Sequence, residues 1–258
     1  MRPHKNRPEI GSLYKTNQGC TVEVLDYTHY SKVLVKFLDD VGHERLVSKK
    51  ELLNGRVKNP FHPEVRGVGF FGVGPHIGKI GQGSSVSSKE YVHWTSMLTR
   101  SYADYYHERF PTYIGCSVDE QWHNYQEFAE WCQWQVGFDN KKSVLDKDLI
   151  VQGNKVYSPE TCVFLPPELN SLIVTQSKAG KSTPGGISFQ ESSQKYIVSC
   201  AINGKNKNLG RYKCPEDAFA VYKEFKENLV KEKAEEYRDR IDIRAYTAML
   251  NFKVQENK

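Results

Sequence analysis

Residues 144–166 read VLDKDLIVQGNKVYSPETCVFLP, and this stretch decides how the central part of the chain is interpreted. A short apolar strand ends in Asp146, Lys147 and Asp148, a Gly–Asn turn follows, and a capped turn at Ser158 precedes a second apolar run. Because side chains alternate along a strand, the two carboxylates share a face and could together hold Mg²⁺ with water. The alternative is structural: Asp146 caps a turn, or this stretch pairs with a basic segment elsewhere.

The positive charge of the chain is concentrated in one segment. The formal net charge is +5, yet residues 178–213 hold seven lysines and arginines against a single acid, Glu191. A local excess of this kind predicts a surface that contacts the phosphates of a polyanion. A lysine-rich hairpin that is merely solvated is the alternative, because charge alone does not separate the two.

Composition predicts packed cores and no membrane span. Of the 258 residues, 38% are hydrophobic and 26% are charged, which suits two or three small domains. No run approaches about eighteen consecutive apolar residues, and the basic N-terminus lacks the apolar core of a signal peptide. We therefore expect a cytoplasmic protein that has no membrane partner.

The six cysteines are scattered and form no C-x-x-C pair, so we expect reduced, buried residues. A zinc site is the alternative, although the spacing matches no standard zinc motif. Its ligands would come from Cys116, Cys132, Cys162, His93, His107 and His123.

The first sixty residues predict short strands. TVEVLDY (21–27) and KVLVKFLD (32–39) alternate and are joined by a turn, and residues 43–60 add a further strand, so a small, strongly bent β-barrel or sheet is expected. Residues 63–87 are rich in Gly, Pro and Ser and predict extended, flexible backbone. Their GVGFFG run lacks the strand–helix context of a nucleotide-binding loop, and AGKST (179–183) lacks the first glycine of a P-loop.

Two aromatic-rich segments between residues 88 and 136 predict helices. The first has Ser88 as its N-cap, and the second begins at a cap on Ser117 or Asp119. We expect both apolar stripes to be core rather than base-stacking surfaces. The stripes consist of Tyr91, Trp94, Met97, Leu98 and Tyr102, and of Trp122, Tyr125, Phe128, Ala129 and Cys132.

Residues 186–241 predict three strands followed by a long helix. The strands are GISFQ, KYIVSCAIN and KNLGRYK, and the last two meet at a two-residue Asn203–Gly204 turn. Pro215 suits the first turn of the helix. Alternation directs Ile187, Phe189, Val198, Cys200, Ile202 and Leu209 to the helix, and Ser188, Gln190, Ile197, Ser199 and Ala201 outward.

This unit resembles the plant ethylene-response-factor DNA-binding domain (the AP-two type), and more closely its phage relatives. The resemblance rests on the initial Gly–Ile strand, Tyr196, the Leu209–Gly210–x–Tyr212 step and the EDAFAVY start of the helix. It implies that the outer face of the sheet enters the major groove of double-stranded DNA. The expected contacts are Lys195, Ser199, Lys205, Lys207, Asn208 and Arg211. Ser199 and Ala201 replace the charged readers of the plant domain, so the resemblance implies contacts to phosphates but not base specificity. Binding of protein or RNA by this unit is the alternative.

Residues 86–173 resemble the HNH-like domain of phage proteins that also carry such a DNA-binding unit, which are usually regarded as homing-type endonucleases. The matching text is YVHWTSMLTRSY, YIGCSVDEQWHNYQEFAEW and LDKDLIVQGNKVYSPETCVFLPPELNSL. The family site uses a strand-end histidine as general base, a divalent metal ion, and a loop asparagine that orients the base. Asp146 matches the acid beside the metal and Asn154 the loop residue.

The resemblance leaves open whether the chain cuts DNA, because Lys147 replaces the histidine and the helical ligand position falls near Thr161. Lys147 is a poor base unless burial strongly lowers its pKa. His123 or His93 could supply a base from the preceding helices. The expected catalytic set is Asp146, Asp148, Asn154 and His123, with Mg²⁺ on Asp146 and Asp148.

These patterns predict an α+β fold in four parts. They are a small N-terminal β-barrel (1–62), a linker (63–87), a degenerate HNH-like ββα domain with helices (88–175), and a three-stranded sheet packed on a helix (184–258). The expected function is phage-type DNA binding, with Mg²⁺-dependent homing-type endonuclease activity at a degenerate site, in the host cytoplasm if phage-encoded. The alternatives are a non-catalytic DNA-binding regulator or inhibitor of a host nucleic-acid machine, and an adaptor for a host protein or ribonucleoprotein.

Overall fold

Strands and helices follow one another without a regular βαβ order in the computed structural model, which describes residues 7–80, 85–174, 186–202 and 204–255. The sheets are small, most strand pairs are antiparallel, and the helices are separate elements, which confirms the predicted α+β class. The chain divides into two units, Met1–His76 with Glu120–Glu127, and Ile77–Asp119 with Phe128–Lys258.

The N-terminal unit is built on a four-stranded antiparallel sheet. Its strands are β1 (Leu13–Lys15), β2 (Thr21–His29), β3 (Lys32–Phe37) and β4 (Glu44–Val47), in that order across the sheet. The buried face is formed by Val22, Val24, Val33, Val35 and Phe37. Helix α1 (Lys49–Leu53) follows, and a capping box between Ser48 and Glu51 begins it.

This sheet is open rather than closed into a barrel. In the described residues β1 and β4 are its two edges, and no pairing joins them. Both edge strands are short, with three and four residues, so they offer few backbone groups for a closing ladder. The open sheet, and not the closed barrel, is therefore the form that the structure shows.

The glycine-rich segment after this sheet is hydrogen-bonded rather than free. The side-chain amide of Gln126 accepts from the His76 N–H at 2.9 Å and donates to the carbonyls of Phe71 and His76 at 3.3 and 3.0 Å. Gly72 has a φ of +73°, and a Cβ there would lie 2.0 Å from the side-chain oxygen of Asn124. Glycine is required here by close packing.

Three helices lie between residues 88 and 133: α2 (Lys89–Tyr102), α3 (Asp104–Arg109) and α4 (Tyr125–Gln133). Ser88 caps α2 through its hydroxyl, which accepts from the Tyr91 N–H at 3.2 Å, as predicted. The second helix begins later than predicted, because Glu120–His123 form a 3-10 turn. Trp94, Met97, Trp122 and Phe128 are fully buried, so the prediction that the stripes are core is confirmed.

The stretch around Asp146 forms short strands joined by turns, as predicted. The strands are β5 (Ser117–Val118), β6 (Val144–Asp146), β7 (Val156–Tyr157) and β8 (Val163–Leu165), and helix α5 (Pro167–Ile173) follows. Strand β6 pairs antiparallel with β8, and β7 pairs parallel with β5.

The C-terminal part is a three-stranded antiparallel sheet with two helices. It contains β9 (Ile187–Gln190), β10 (Lys195–Ile202), β11 (Lys205–Tyr212), α6 (Pro215–Tyr237) and α7 (Ile243–Leu250), with β10 in the centre of the sheet. Both the three strands and the helical start at Pro215 are as predicted. No helix in the described part of the chain is long and apolar enough to cross a membrane.

One hydrophobic core links this sheet to the segment around Asp146. Val198 and Tyr222 belong to the same buried cluster as Val163, Leu165 and Leu169. The predicted boundary at 175–184 and the AGKST run lie outside the described residues. The sheet and the β6–β8 segment therefore share their apolar support.

Candidate functional site

The outward side of sheet β9–β11, here called the outer sheet face, is polar. Directly opposed residues share a face, and Ser199 lies opposite Asn208 while Ile197 lies opposite Arg211. Val198 and Cys200, which alternate with them, are buried on the helix side. The outer sheet face in the described strands contains Ser188, Gln190, Lys195, Ile197, Ser199, Ala201, Asn206, Asn208 and Arg211, and none of these carries a carboxylate.

A β-bulge in β11 decides which of its residues point outward. Val198 pairs with Gly210 and Ser199 pairs with Asn208, so Leu209 is the extra residue. Leu209 is half-buried and packs against the core, as predicted. The bulge reverses the alternation beyond it, so Asn208 faces outward and Lys207 faces the helix.

Lys207 therefore lies off the outer sheet face. Its Nζ lies 4.8 Å from the ring centroid of Phe225 on α6, which is a cation–π contact. Lys205 lies opposite Ile202 on the same side and is exposed. Four of the six expected DNA contacts, Lys195, Ser199, Asn208 and Arg211, remain together on the outer sheet face.

Phe189 follows the predicted alternation but is not buried. The register places it opposite Tyr196 on the helix side, yet it is 47% exposed, and its ring centroid lies 4.9 Å from that of Tyr196. The register thus agrees with the prediction that Phe189 faces the helix, and its ring stays exposed because β9 lies at the edge of the sheet.

Close packing at Gly186 supports the sheet from the helix side. Gly186 has a φ of +121°, and a Cβ there would lie 2.5 Å from the Ser199 carbonyl and 2.6 Å from the Tyr222 ring. The Ser199 N–H donates to the Gly186 carbonyl at 2.7 Å. The start of β9 can therefore approach β10 and α6 only without a side chain.

Asp146 is buried in what we call the Asp146 loop, residues 146–156. Its Oδ1 accepts the N–H groups of Asp148 and Leu149 at 3.0 and 2.8 Å. Burial, with repulsion from Asp148, raises the pKa of Asp146 to about 6, although the two backbone hydrogen bonds and Lys147 oppose the rise. This is the turn-capping arrangement that the sequence offered as the structural alternative.

Lys147 folds back onto Asp148. Its Nζ lies 3.0 Å from Oδ2 of Asp148 and donates to the carbonyl of Asn154 at 3.0 Å. On an ideal strand Lys147 would point to the face opposite both carboxylates, but β6 ends at Asp146 and the chain turns there, so Lys147 reaches Asp148. An ammonium at this oxygen opposes a divalent cation at the same place, so the pair as it stands does not fit Mg²⁺.

Asn154 fixes the backbone of the loop. Its Nδ2 donates to the carbonyls of Lys147 and Val156, both at 2.7 Å, and its Oδ1 accepts from the Val156 N–H at 3.0 Å. Asn154 thus holds residue 147, which is the position where the resemblance places the general base.

The two candidate histidines have different surroundings. The ring of His93 lies 5.0 Å from Phe164 and 6.4 Å from Phe138, and burial, followed by the charges of Lys89 and Arg100, lowers the pKa of His93 to about 4. His93 is therefore a neutral packing residue. His123 ends a 3-10 turn in the first unit, whereas Asp146 belongs to the second.

No group of three or more His, Cys, Asp or Glu side chains that could hold a metal ion occurs among the described residues. Cys116, Cys132 and Cys162, the cysteines considered for zinc, are buried and free. Burial raises the pKa of Cys132 and, to about 12, that of Cys162, which opposes the thiolate form that zinc binds.

Arg244 anchors the turn that contains Thr161, and no sequence pattern singled it out. Its Nη1 donates to the carbonyls of Pro159 and Glu160 at 3.1 and 3.2 Å, and its Nη2 lies 3.0 Å from Asp242 Oδ2. Thr161, at the expected helical ligand position, donates instead to the Val156 carbonyl at 3.0 Å. The turn is thus held from α7, about eighty residues further along the chain.

Arg100 is the second arginine that the sequence reasoning missed. It lies on α2 between the buried residues Leu98 and Ser101, and a cation so close to buried residues is the signal that could have found it. Its guanidinium hydrogen-bonds the side chain of Tyr157, and its Nε is buried without a hydrogen-bond partner.

The arrangement thus offers an open polar sheet face and, around Asp146, a loop whose polar groups bind one another.

Comparison of the chain with protein-family models, with curated proteins and with solved structures gives no match.

Proposed function

We propose that the chain binds double-stranded DNA through the outer sheet face. The observation that carries the proposal is the composition of that face, which joins two cations to a row of amides and hydroxyls without a carboxylate. Within the described residues neither Lys195 nor Arg211 has an ion-pair partner, so both charges are open to phosphates.

The shape of the sheet suits a DNA groove. Strands β10 and β11 have eight residues each and form an antiparallel ribbon, and the major groove is wide enough to admit such a ribbon. Asn206, Asn208 and Ser199 supply donors and acceptors of the kind that contact base edges and phosphates. The resemblance to the ethylene-response-factor domain supports the same orientation, with the helix behind the sheet.

Fluorescence anisotropy with a labelled duplex at several salt concentrations tests this proposal. The Lys195→Gln/Arg211→Gln variant is expected to bind about tenfold or more weakly, with a shallower dependence on salt. The matched control is Lys141→Gln/Lys231→Gln, which removes the same charge from exposed positions in the same unit. Equal affinities for the two variants would show that the outer sheet face is not the DNA-binding surface. If the wild type does not bind duplex DNA at low salt, the proposal of DNA binding is refuted.

Endonuclease activity of the homing, HNH-like type is the second candidate. It is favoured by Asn154, whose amide holds the carbonyl of residue 147 as the resemblance implies. The activity requires Lys147 to leave Asp148, so that Asp146 and Asp148 can hold Mg²⁺. Plasmid nicking with Mg²⁺ or Mn²⁺ tests it, and nicking that survives Asp146→Ala/Asp148→Ala would exclude this metal site.

Of the two candidates, DNA binding without cleavage agrees better with the contacts of the Asp146 loop. We propose that the chain is a phage-type DNA-binding protein with a degenerate HNH-like domain, acting in the host cytoplasm as a regulator or as an inhibitor of a host nucleic-acid machine. Duplex binding without nicking is the expected pair of results.

A further inference from the structure

Arg100 is a half-buried cation, and no carboxylate of the described residues is among the groups that act on its charge. Its side chain hydrogen-bonds Tyr157, and its guanidinium carbon lies 6.0 Å from the ring centroid of Tyr113. The groups that act on its charge in the described part of the chain are the phenols of Tyr157, Tyr113 and Tyr106. Its Nε is buried and makes no hydrogen bond.

Such a cation is unusual for a folded protein. Buried charges are normally paired, because removal from water without an opposite charge is unfavourable. Two phenols next to a guanidinium offer polar contacts but no negative charge at neutral pH. The surroundings of Arg100 are therefore electrostatically incomplete, and an anion would complete them.

A second cation shares Tyr157 with Arg100. Lys147 is 8% exposed, and its Nζ lies 5.7 Å from the ring centroid of Tyr157. Both Lys147 and Asp148 also act electrostatically on Tyr113. Two carboxylates already act on Lys147: Asp148, whose side chain is 47% exposed, contacts it directly, and Asp146 is coupled to it electrostatically. The cation of the cluster whose charge no described carboxylate balances is therefore Arg100.

The chemistry of these groups selects a particular kind of anion. A guanidinium presents several N–H donors in a fixed fork, which matches the oxygens of a phosphate or a carboxylate. An ammonium and a phenol O–H add further donors, and a phosphate has enough oxygens to accept from all of them. A planar carboxylate has fewer oxygens than this set of donors can serve.

We propose that Arg100, Lys147 and Tyr113 form a binding site for a phosphate group. The site is separate from the outer sheet face and does not depend on it. The phosphate comes either from free inorganic phosphate or from the backbone or terminus of a nucleic acid, and the two sources share the chemistry that the site recognises.

Thermal unfolding and calorimetric titration of the full chain test the proposal, with sodium phosphate compared with sodium chloride at equal ionic strength. Phosphate at well above its dissociation constant is expected to raise the melting temperature by about 2–4 °C more than chloride. Arg100→Gln is expected to weaken phosphate binding at least about tenfold, because the only forked donor is lost. Arg109→Gln, an exposed arginine on the neighbouring helix α3, is the matched control and should bind as the wild type does.

A second, more conservative variant tests the proposal even if Arg100→Gln does not fold. Tyr113→Phe keeps the ring and removes the O–H, so we expect a folded protein that binds phosphate several-fold more weakly. The proposal is overturned if phosphate stabilises the wild type no better than chloride does. It is equally overturned if folded Arg100→Gln or Tyr113→Phe binds phosphate as tightly as Arg109→Gln.

A competition experiment separates the two sources of phosphate and the two proposals. In Lys195→Gln/Arg211→Gln the outer sheet face is weakened while the Arg100 cluster is intact. If inorganic phosphate displaces a short labelled oligonucleotide from this variant, the site takes nucleic-acid phosphates. If phosphate binds but the oligonucleotide does not, the site takes free phosphate. Either result supports the site whether or not the outer sheet face binds DNA.

Discussion

The Asp146 loop and the outer sheet face contain similar polar side chains but use them in opposite ways. In the loop, Asp146 accepts two backbone N–H groups, Lys147 contacts Asp148, and Asn154 binds two carbonyls of the same loop. On the sheet, Lys195 and Arg211 extend from an antiparallel ladder without an ion-pair partner among the described residues.

The difference shows why residue types alone do not identify a site. A carboxylate that already accepts hydrogen bonds from its own chain has fewer lone pairs for a metal ion or a proton. A side chain on a sheet face needs no partner of its own, because the backbone ladder and the core beneath hold the strand. The carboxylate and amide groups of the Asp146 loop therefore mainly hold the backbone of the loop in place, whereas the polar side chains of the outer sheet face are available for a ligand.

The largest loss of stability is expected for Gly186→Ala, because a side chain at this position would disturb the close packing that supports the sheet. The Cβ would meet the Ser199 carbonyl at 2.5 Å at a φ of +121°, so we expect a loss of about 3 kcal/mol in the free energy of unfolding. Urea unfolding followed by circular dichroism measures it. Gly204→Ala is the control, since its φ is also positive but nothing lies within 4 Å. Equal losses in both variants would show that packing at Gly186 is unimportant.

Arg244→Ala tests whether the Asp146 region is held from α7. The substitution removes charged donors from the carbonyls of Pro159 and Glu160 and leaves Asp242 without its ion pair, so we expect a loss of about 2 kcal/mol. Urea unfolding compares it with Arg238→Ala, an exposed arginine in a cation–π contact with Tyr246. A loss no larger than that of the control would contradict the anchoring role.

Asp146→Asn tests whether the buried carboxyl serves the fold. Its pKa is about 6 in the folded chain against an ordinary 3.8, so the protonated form is favoured by folding. The stability that the protonated carboxyl of Asp146 contributes is fully present below about pH 4, and it is lost as the pH rises through about 6. The neutral amide should therefore stabilise the chain by about 1–2 kcal/mol at pH 7.5, with no gain at pH 4. Unfolding curves at both pH values measure this, and a variant less stable at pH 7.5 would show that the fold needs the charge.

The smallest effect on stability is expected for the outer sheet face itself. Because Lys195 and Arg211 make no ion pair with the described part of the chain, Lys195→Gln/Arg211→Gln should change the free energy of unfolding by less than about 0.5 kcal/mol. The same urea experiment applies. A loss of more than about 1 kcal/mol in the free energy of unfolding would contradict this prediction, because it would show that the two side chains stabilise the fold.

Much of the secondary structure followed from local sequence patterns. Alternation gave β2, β3 and β10, the Ser88 cap gave the start of α2, and Pro215 gave the start of α6. These features depend on neighbours within a turn or a strand, so a short window contains the interactions that decide them. The closed barrel predicted for the N-terminal residues is not found in the described strands. Local patterns could not decide this, because closure depends on pairing between strands that are distant in sequence.

The candidate site divides in the same way. The sequence by itself determined that Asp146 ends a strand, that Asn154 lies in the next turn, and that cations gather on the last sheet. Only the tertiary structure decided that Lys147 contacts Asp148, that a bulge at Leu209 turns Lys207 away from the outer sheet face, and that Arg100 lies among phenols with no described carboxylate acting on it. The physical reason is that charge pairing and strand register depend on groups brought together by folding, whereas turns and strand ends are set by adjacent residues.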